Sequence, residues 1–403
     1  MFNDSKKLTV ILVGLPGSGK TCIAKKLSRY LNWKGCFTKI FCPDLYLQKL
    51  KVLESKTSCM DGQEEKDWNT LSMAECLKDL ICWLKNSLEA KVAILDSENL
   101  LRDQRALLKK KLETETGSSI LFIESVCNIN QILVDGENTF ACERRVQQYQ
   151  LRYESLDELL DPNYSFLKLF DVNKSIVTRN VEGHISALIV YFLINARFHS
   201  RTLYFSRHGE SEYNLQGILG GDSDLSLRGV EYASKLHEYF TGVKIENLQV
   251  WTSPLKRARQ TAQLFEEKAK IWKCLEEIKA GICEGMTYQQ ISELYPEEFR
   301  SREKDKYNYR YPRGESYYDV VVRLEPIMLE LERANNVLII GHQAVLRCIL
   351  AYFLGKSTEE LPFMEVPLHS VLKISAMADD YHMQTISLNI SAVSTQLPFN
   401  ANL

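Results

Sequence analysis

Short apolar runs alternate with longer amphipathic stretches along this chain, and the alternation predicts an α/β fold. Residues 8–13 are mostly apolar and β-branched, and after a Gly-rich turn apolar positions recur with helical spacing up to Leu31. Residues 91–95 form another apolar run of strand length. We therefore predict a mostly parallel sheet in the first half, closed by a buried helix over residues 185–194.

The second half repeats the pattern with apolar runs at residues 203–205, 248–251 and 337–340. Each run ends in a polar or glycine-containing turn that leads into a helix pattern, which predicts a second mostly parallel sheet. A length of 403 residues suits two domains. We place the domains at 1–198 and 199–390, with a linker near 197–200 and a flexible tail over 391–403.

Composition and charge narrow the classes of partner. A formal net charge of −2 gives no reason to expect nucleic acid or an anionic membrane as a partner. No uninterrupted apolar run approaches the roughly 20 residues of a membrane span. The chain enters its first strand without a leader pattern, and its 11 cysteines include no CxxC pair. We expect a cytoplasmic protein that acts on small molecules.

A phosphate-binding loop follows the first predicted strand. Residues 14–21 read GLPGSGKT, which matches GxxxxGK[ST] between a strand and a helix. Its glycines let backbone N–H groups wrap nucleotide phosphates, Lys20 reaches the β and γ oxygens, and Thr21 can hold Mg²⁺. Asp96, at the end of the run 91–95, is a second candidate Mg²⁺ contact. The competing interpretation is a chance Gly-rich turn. The candidate nucleotide-binding residues are Gly14, Gly17, Gly19, Lys20, Thr21 and Asp96.

A different chemistry follows the apolar run 203–205, where the chain reads RHGESEYN from Arg207. A neutral imidazole can attack phosphorus while an adjacent fixed guanidinium neutralises the charge that develops on the phosphoryl oxygens. Arg257 in TSPLKRARQT and His342 in GHQAVLR each follow another predicted strand. Alone, the first would read as a solvated arginine on a capped helix and the second as a core histidine. Together with His208 they can converge on one phosphate, because ligands gather where parallel strands end.

A phosphatase also needs a proton donor for the leaving alkoxide. Glu277 in EEIKAGICEG is the candidate, and Glu284 is the fallback. A carboxyl close to a phosphate dianion is easier to keep protonated, because the like charge raises its pKa. The competing interpretation is an exposed loop carboxylate, the usual environment of Glu.

These motifs resemble the histidine phosphatase (phosphoglycerate-mutase-like) superfamily. The strings NLQGILGGDSDLS, YPEEFRSREKDKYNYRYPRGESY and GHQAVLRCILAYFLGK resemble more narrowly the bisphosphatase half of the 6-phosphofructo-2-kinase/fructose-2,6-bisphosphatase family, from about residue 201 to 388. The resemblance implies a phosphohistidine on His208, with Glu277 as general acid and base. It places the 2-phosphate among Arg207, Asn214, Arg257 and His342.

The same resemblance implies a second set of residues that holds the sugar and its 6-phosphate. A remote phosphate supplies binding energy that positions the ketose. One departure is Ile218, where the family has a basic residue, so phosphate steering would be weaker there. Without the resemblance, residues 303–316 would read as a solvated polar loop. The substrate-binding candidates are Asn214, Gly220, Tyr288, Arg302, Lys306, Tyr317, Gln343 and Arg347.

The first half resembles the family's kinase half in VAILDSENLLRDQR, FIESVC and VEGHISALIVYFLINARF. Cys127, Arg145 and Tyr149 fall on kinase positions, but the sugar-phosphate site is eroded. Where the family has Tyr-Arg-Arg, this chain has Tyr46-Leu47-Gln48, and where it has Phe-Arg-Pro, this chain has roughly Ser58-Cys59-Met60. Gln104 aligns with an arginine that binds substrate in the family, and Glu98 stands in place of a threonine. The loop from residue 128 to 142 is shortened. We expect ATP binding with weak or absent 2-kinase activity, unless Arg102, Arg105 or Arg144 compensates.

Three functions remain open at the level of the sequence. The first is a fructose-2,6-bisphosphatase joined to a degenerate kinase half, the second is a fully bifunctional enzyme, and the third is a nucleotide-sensing module that regulates the phosphatase. The resemblance implies two α/β domains, a P-loop fold and then a histidine-phosphatase fold. It implies sugar phosphates and ATP as partners, and a homodimer formed through the kinase halves. Mg²⁺ is expected only with ATP, at Thr21 and Asp96, and no metal is expected in the phosphatase.

Overall fold

The computed structural model describes residues 7–57, 68–86, 91–127, 147, 149–171, 174–197, 201–377 and 380–395. The chain divides into two compact units, Met1–Phe198 and His199–Leu403. Each unit contains one six-stranded mixed sheet flanked by helices, which confirms the predicted α/β fold class. Among the described residues, no helix combines the length and the apolar composition needed to cross a membrane.

The sheet of the first unit has the spatial order β2-β3-β1-β4-β5-β6. Its strands are β1 Leu8–Val13, β2 Phe37–Phe41, β3 Lys91–Leu95, β4 Ser119–Val126, β5 Phe166–Phe170 and β6 Ser175–Arg179. Its helices are Lys20–Trp33, Pro43–Thr57, Trp68–Lys85, Arg102–Thr116 and His184–Asn195. Five strands run parallel, and only β6 is antiparallel. All six residues of β1 are buried, as expected for a central strand with both faces covered.

Helix His184–Asn195 agrees with the buried helix predicted over residues 185–194, but some of its side chains are exposed. Phe192 is buried and stacks on Tyr30, with ring centroids 4.4 Å apart. Ile194, in contrast, is 54% exposed. A helix that packs along one side buries only one stripe of its surface. The apolar sequence therefore predicted the helix correctly but not the environment of its other face.

The sheet of the second unit has the spatial order β12-β11-β7-β10-β8-β9. Its strands are β7 Thr202–Arg207, β8 Gln249–Thr252, β9 Ala269–Ile271, β10 Asn336–Gly341, β11 Ser370–Met377 and β12 Asp380–Ser387. Its helices are Glu212–Gln216, Leu227–Val243, Lys256–Ala262, Tyr288–Leu294, Pro296–Lys304, Tyr317–Arg333 and Gln343–Phe353. Four strands are parallel, while β11 and β12 are antiparallel to their neighbours.

The parallel register of β7, β10 and β8 determines where their loops lie. Arg207 pairs with Gly341, and Ile340 pairs with Thr252, so these three strands end at one edge of the sheet. The residue after each strand end is His208, His342 or Ser253. Four consecutive β10 residues, Val337, Leu338, Ile339 and Ile340, are fully buried and form a rigid base for these loops.

Residues 391–395 differ from the expected flexible tail. The N–H of Val393 donates to the Glu210 carboxylate at 2.8 Å. The hydroxyl of Thr395 accepts a hydrogen bond from Arg207 at 2.7 Å. The polar residues here suggested fraying, but their backbone and hydroxyl groups find partners on the loop that follows β7. Residues 396–403 lie outside the described part of the chain.

Candidate active site

His208 lies directly after β7 and is 3% exposed. Its Nδ1 donates to the carbonyl oxygen of Gly209 at 2.7 Å, because a carbonyl can only accept. Its Nε2 therefore carries the lone pair, and it accepts from Nε of Arg257 at 3.1 Å. Burial, followed by the charges of Arg257 and Arg207, lowers the pKa of His208 well below its usual value. The ring is therefore neutral, and its Nε2 faces the guanidinium of Arg257.

Two buried arginines supply the positive charge of this pocket. Arg207 and Arg257 are 3% and 5% exposed. Arg207 donates to the carbonyl of Val366 at 3.2 Å, and Arg257 donates to the carbonyl of Gly221 at 2.7 Å. Burial lowers the pKa of Arg207 to about 10, so its guanidinium is still a cation at neutral pH. Both side chains are fixed before a phosphate arrives, which suits electrostatic stabilisation of a phosphoryl transition state.

His342 lies beside His208, with ring centroids 5.1 Å apart. It is completely buried, and burial together with Arg257 lowers the pKa of its imidazole well below the usual value. Neither ring nitrogen has a hydrogen-bond partner among the described residues. A buried polar group without a partner is costly, so a phosphate oxygen that accepts from this ring would relieve that cost.

Glu277 lines a cavity together with Arg257. Its Oε1 accepts from the backbone N–H of Ile278 at 3.0 Å and of Ala344 at 3.2 Å. Ala344 belongs to the helix that follows His342, so these bonds fix the carboxyl group beside the reacting centre. Glu284, the fallback acid, lines the same cavity of about 400 Å³. The other lining residues are Gly220, Gly221, Asp222, Leu255, Arg257, Glu276, Glu277, Ile278 and Lys279.

The predicted sugar-phosphate set forms two hydrogen-bonded pairs. Arg302 donates to the hydroxyl of Tyr288 at 3.1 Å, and Arg347 donates to the hydroxyl of Tyr317 at 3.0 Å. Burial, and then the charge of Arg302, lowers the pKa of Lys306 to about 8. The structure therefore brings these five side chains into one electrostatic group, in which cations and phenols can bind a phosphate.

The other predicted substrate residues have different environments. Gln343 is the first residue of the helix Gln343–Phe353. The side-chain oxygen of Asn214 accepts from Ser211 in the capping box of a short helix. Gly220 has φ 70°, and a Cβ there would lie 2.8 Å from the side chain of Glu284. Position 218, where the family has a basic residue, holds a half-buried isoleucine, which adds no positive charge to its loop.

Several residues that support the site were missed from the sequence. Tyr311 accepts from Nε of Arg302 at 2.8 Å, and Thr261 accepts from the N–H of Gly209 at 2.9 Å. His369 accepts from the N–H of Glu210 at 3.0 Å. These contacts join distant parts of the chain, and no local spacing signals them. Tyr311 lies inside a basic and aromatic segment already noted, and Thr261 is the last residue of the motif TSPLKRARQT, but neither was assigned a role from the sequence.

In the first unit, the Gly-rich loop carries a second polar cluster. Lys20 begins a helix, and its Nζ donates to the carbonyls of Gly14 at 3.0 Å and Leu15 at 2.7 Å. Gly17 and Gly19 have φ of 77° and 84°, conformations that favour glycine. Burial raises the pKa of Asp96, while a hydrogen bond from Thr21 and the charge of Lys20 oppose the shift.

The residues present fit a nucleotide-bound Mg²⁺ ion. Asp96 is 5% exposed, and its Oδ2 has no hydrogen-bond partner within the described residues. Thr21 supplies a hydroxyl that hydrogen-bonds the same carboxylate group. Hard oxygen ligands of this kind are what Mg²⁺ prefers, together with phosphate oxygens. Thr21 and Asp96 would hold the ion. No group of three or more metal-binding side chains occurs in the described ranges.

Two arginines, Arg102 and Arg105, lie close in sequence to this cluster. Gln104, between them, is exposed. Arg105 is fully buried and donates to the carbonyls of Asn99 at 3.1 Å and Leu100 at 2.9 Å. Arg102 forms an ion pair with Asp161 at 3.2 Å. The ion pair engages Arg102, whereas Nε and Nη2 of the buried Arg105 have no hydrogen-bond partner within the described residues and remain as donors for a phosphate. Arg144 lies outside the described residues.

The remaining kinase positions are only partly described. The thiol of Cys127 lies 3.4 Å from the carbonyl of Ser18 in the Gly-rich loop. Tyr149 is half-buried. Tyr46 donates to Asp79 at 2.9 Å and is therefore directed to a neighbouring helix. Arg145 and residues 58–60 lie outside the described ranges.

Comparison with known proteins covers both units. The profile of the histidine phosphatase superfamily (branch 1) matches residues 203–389, and that of 6-phosphofructo-2-kinase matches residues 1–200. A Gallus gallus protein named 6-phosphofructo-2-kinase/fructose-2,6-bisphosphatase is 44% identical over 407 residues, which cover 96% of this chain and 86% of that protein. The Homo sapiens 6-phosphofructo-2-kinase/fructose-2,6-bisphosphatase 1 is 43% identical over 412 residues, with coverages of 98% and 87%. The solved α-ribazole phosphatase of Shigella flexneri has a TM-score of 0.42 and 25% identity, over 48% of this chain and all of that one.

Proposed function

The chain belongs to the 6-phosphofructo-2-kinase/fructose-2,6-bisphosphatase family of bifunctional enzymes, and from this premise we propose that its main activity is hydrolysis of the 2-phosphate of fructose 2,6-bisphosphate. The observation that carries the proposal is the state of His208. Its Nδ1 is held by the Gly209 carbonyl and its unprotonated Nε2 faces Arg257. A nucleophile and its counter-charge are thus in place before substrate binds.

The reaction follows from the positions of the side chains. Nε2 of His208 attacks phosphorus, a bond forms between nitrogen and phosphorus, and the bond from phosphorus to the C2 oxygen breaks. Arg207, Arg257 and His342 stabilise the phosphoryl oxygens, and Glu277 donates its proton to the leaving oxygen. Water then attacks the phosphohistidine, with Glu277 accepting its proton, and inorganic phosphate leaves.

The 6-phosphate set provides substrate selection. Arg302, Lys306 and Arg347 are cations, and the hydroxyls of Tyr288 and Tyr317 already bind two of them. A phosphate bound to this group would orient the ketose while its 2-phosphate meets His208. A monophosphate without this second anchor should react more slowly.

For the first unit, the proposal is MgATP binding with weak or absent transfer to fructose 6-phosphate. Glu98 replaces a hydroxyl near the expected sugar phosphate, and Gln104 replaces an arginine. Each lost charge-assisted contact to a phosphate weakens binding by roughly 1.5–3 kcal/mol. Arg102 is paired with Asp161, and Nη1 of Arg105 donates to loop carbonyls. Nε and Nη2 of Arg105 have no partner among the described residues, so Arg105 is the residue that could offset part of the lost charge.

The second candidate is a fully bifunctional enzyme, and the intact Gly-rich loop favours it. Lys20, Thr21 and Asp96 remain together as a kinase would require. The third candidate, a nucleotide-sensing module that regulates the phosphatase, needs the same loop but no acceptor site. The candidates differ in whether ATP is consumed in the presence of fructose 6-phosphate.

The test uses His208→Ala protein, so that any product survives. MgATP and fructose 6-phosphate are supplied, fructose 2,6-bisphosphate is followed over time, and ATP binding is measured by calorimetry with Lys20→Met as control. No accumulation in protein that binds ATP supports the proposal. Accumulation at rates typical of kinases, about 1–100 per second, refutes the loss of kinase activity and leaves the bifunctional enzyme.

The proposal also includes the cellular compartment and the oligomeric state of the enzyme. The net charge of −2 and the sugar-phosphate substrates agree with the cytoplasm as the compartment. The family resemblance suggests a homodimer formed through the kinase halves. Sedimentation of the full chain would show a single species of about twice the 46.5 kDa chain mass if the dimer forms.

A further inference from the structure

We propose that His369 is a positioning residue that controls the tautomer of the nucleophile His208 through the peptide between Gly209 and Glu210. The inference deepens the proposed hydrolysis and rests on it. His369 is the residue just before β11. Its role follows from two hydrogen bonds made by one peptide group.

The two bonds lie at the two ends of that peptide. On one end, the N–H of Glu210 donates to Nε2 of His369 at 3.0 Å. On the other end, the carbonyl of Gly209 accepts from Nδ1 of His208 at 2.7 Å. The peptide is a rigid plane, so the N–H and the C=O turn together. Any rotation that breaks the bond to His369 also moves the acceptor away from His208.

The orientation of His369 is itself determined by its surroundings. Its Nδ1 lies 3.1 Å from the carbonyl of Ser391 and 3.3 Å from that of Ile390, so this nitrogen carries the proton. Its ring stacks on Tyr232, with centroids 4.6 Å apart and planes at 15°. The residue is 2% exposed, and burial lowers its pKa, so the ring is neutral. Nε2 of His369 can therefore only accept.

A continuous chain of donors and acceptors results. It runs from the Ser391 carbonyl through His369 and the peptide to His208, and ends at Nε2 of His208 beside Arg257. Aligned hydrogen bonds of this kind polarise and strengthen one another. The other tautomer of His208 would place a proton on Nε2, where it faces the N–H of Arg257 and cannot attack phosphorus. Control of the tautomer is thus a direct requirement for the reaction.

The competing explanation is that His369 only fills the core beneath Tyr232. A matched pair of substitutions separates the two. Both Gln and Met lose the ring and have similar length, and both meet the same backbone strain at φ 55°. Gln keeps an oxygen that can accept from Glu210, whereas Met keeps no comparable acceptor. A role in packing alone predicts equal losses in the two variants.

The experiment compares His369→Gln and His369→Met in the full chain. Nitrogen-15 NMR of histidine-labelled protein reads the protonation of both ring nitrogens of His208, and it needs no substrate. Rapid-quench kinetics with fructose 2,6-bisphosphate give the rate of phosphohistidine formation, and steady-state kinetics give KM. His382→Met, at an exposed position on β12, controls for loss of a histidine in the same unit.

We expect His369→Met to slow phosphohistidine formation about 100-fold, because a displacement of about 1 Å at a reacting group typically lowers the rate by a factor of this size. KM should change less than about 3-fold, because the 6-phosphate set is untouched, and His208 should show a mixture of tautomers. Gln should recover most of the rate and the single tautomer. Equal losses in Gln and Met, or an unchanged His208 tautomer in Met, would overturn the inference. Wild-type protein that shows the expected tautomer but hydrolyses no fructose 2,6-bisphosphate would instead refute the proposed function.

Discussion

Replacement of Glu277 by Gln isolates the proton that the proposed mechanism needs. Gln has the same size, and its Oε1 can still accept from the N–H groups of Ile278 and Ala344, which now hold Glu277 at 3.0 and 3.2 Å. The pocket should therefore keep its geometry. The substitution removes the ability to give and take a proton, together with the negative charge that the ionised carboxylate presents to Arg207 and Arg257.

The expected loss follows from the role of a general acid. Such a group contributes about 100- to 10,000-fold to the rate, which is about 2.7–5.5 kcal/mol of barrier. The ketose oxygen is a poor leaving group and needs this proton. A phenolate does not, so hydrolysis of p-nitrophenyl phosphate by the Glu277→Gln variant should fall less than about 5-fold.

The assay follows the phosphohistidine burst with each substrate in rapid-quench experiments. Glu284→Gln tests the fallback assignment, because Glu284 lines the same cavity without the bond to Ala344. Glu277→Gln with equal losses on both substrates would refute a proton-donor role. A large, substrate-selective loss in Glu284→Gln alone would transfer that role to Glu284.

Two further predictions concern charge. Burial lowers the pKa of Lys306 to about 8, so this side chain loses its positive charge as the pH rises from 7 to 9. The kcat/KM for fructose 2,6-bisphosphate should therefore fall over this range, and Lys306→Arg should remove the fall. Identical pH profiles in the two proteins would contradict this prediction. Glu332 forms an ion pair with Arg201 at 2.7 Å, and both side chains are buried. Glu332→Gln should therefore lower the free energy of unfolding by about 3–5 kcal/mol and Tm by roughly 10 °C, whereas Glu330→Gln, at an exposed position, should change Tm little. Equal Tm values for the two variants in calorimetry would show that the buried pair adds no stability.

The two sheets and the strand-end loops could be predicted from the sequence because their signals are local. The run at residues 8–13, followed by a Gly-rich loop and a periodic helix, indicates strand, turn and helix in order. Arg207, His208 and His342 were predicted for the same reason, since each directly follows an apolar run. The structure places their side chains around one pocket. Their catalytic roles are still predictions.

The supporting contacts could not be predicted, because they depend on tertiary packing. The bond between Glu210 and His369 joins residues 159 positions apart. A histidine in PLHSVLKI carries no local sign that it will accept from that amide. The hydrogen bond from Arg207 to Thr395 is a similar case. Small polar residues in this segment suggested fraying, and nothing in the local sequence shows that the Arg207 guanidinium lies close enough to donate to one of them.

Helix His184–Asn195 and Arg105 illustrate a different limit. Composition predicted a buried helix, but only one stripe finds neighbours. Arg105 looked available for a sugar phosphate; it is buried, its Nη1 donates to two loop carbonyls, and its Nε and Nη2 have no partner among the described residues. Charge and hydropathy indicate what a side chain can do. Which partner it meets is decided by packing.

Strand β7, which leads into His208, has neighbours that come much later in the chain. β10 begins at Asn336 and β11 at Ser370, so well over a hundred residues follow Arg207 before β7 has a partner on either side. At a synthesis rate of about 5–20 residues per second, the strand waits roughly 10 s on the ribosome. Its apolar residues are open to aggregation during that time. Assembly of the catalytic loop is therefore a late event in translation, and the yield of active enzyme should depend on chaperones that protect nascent strands.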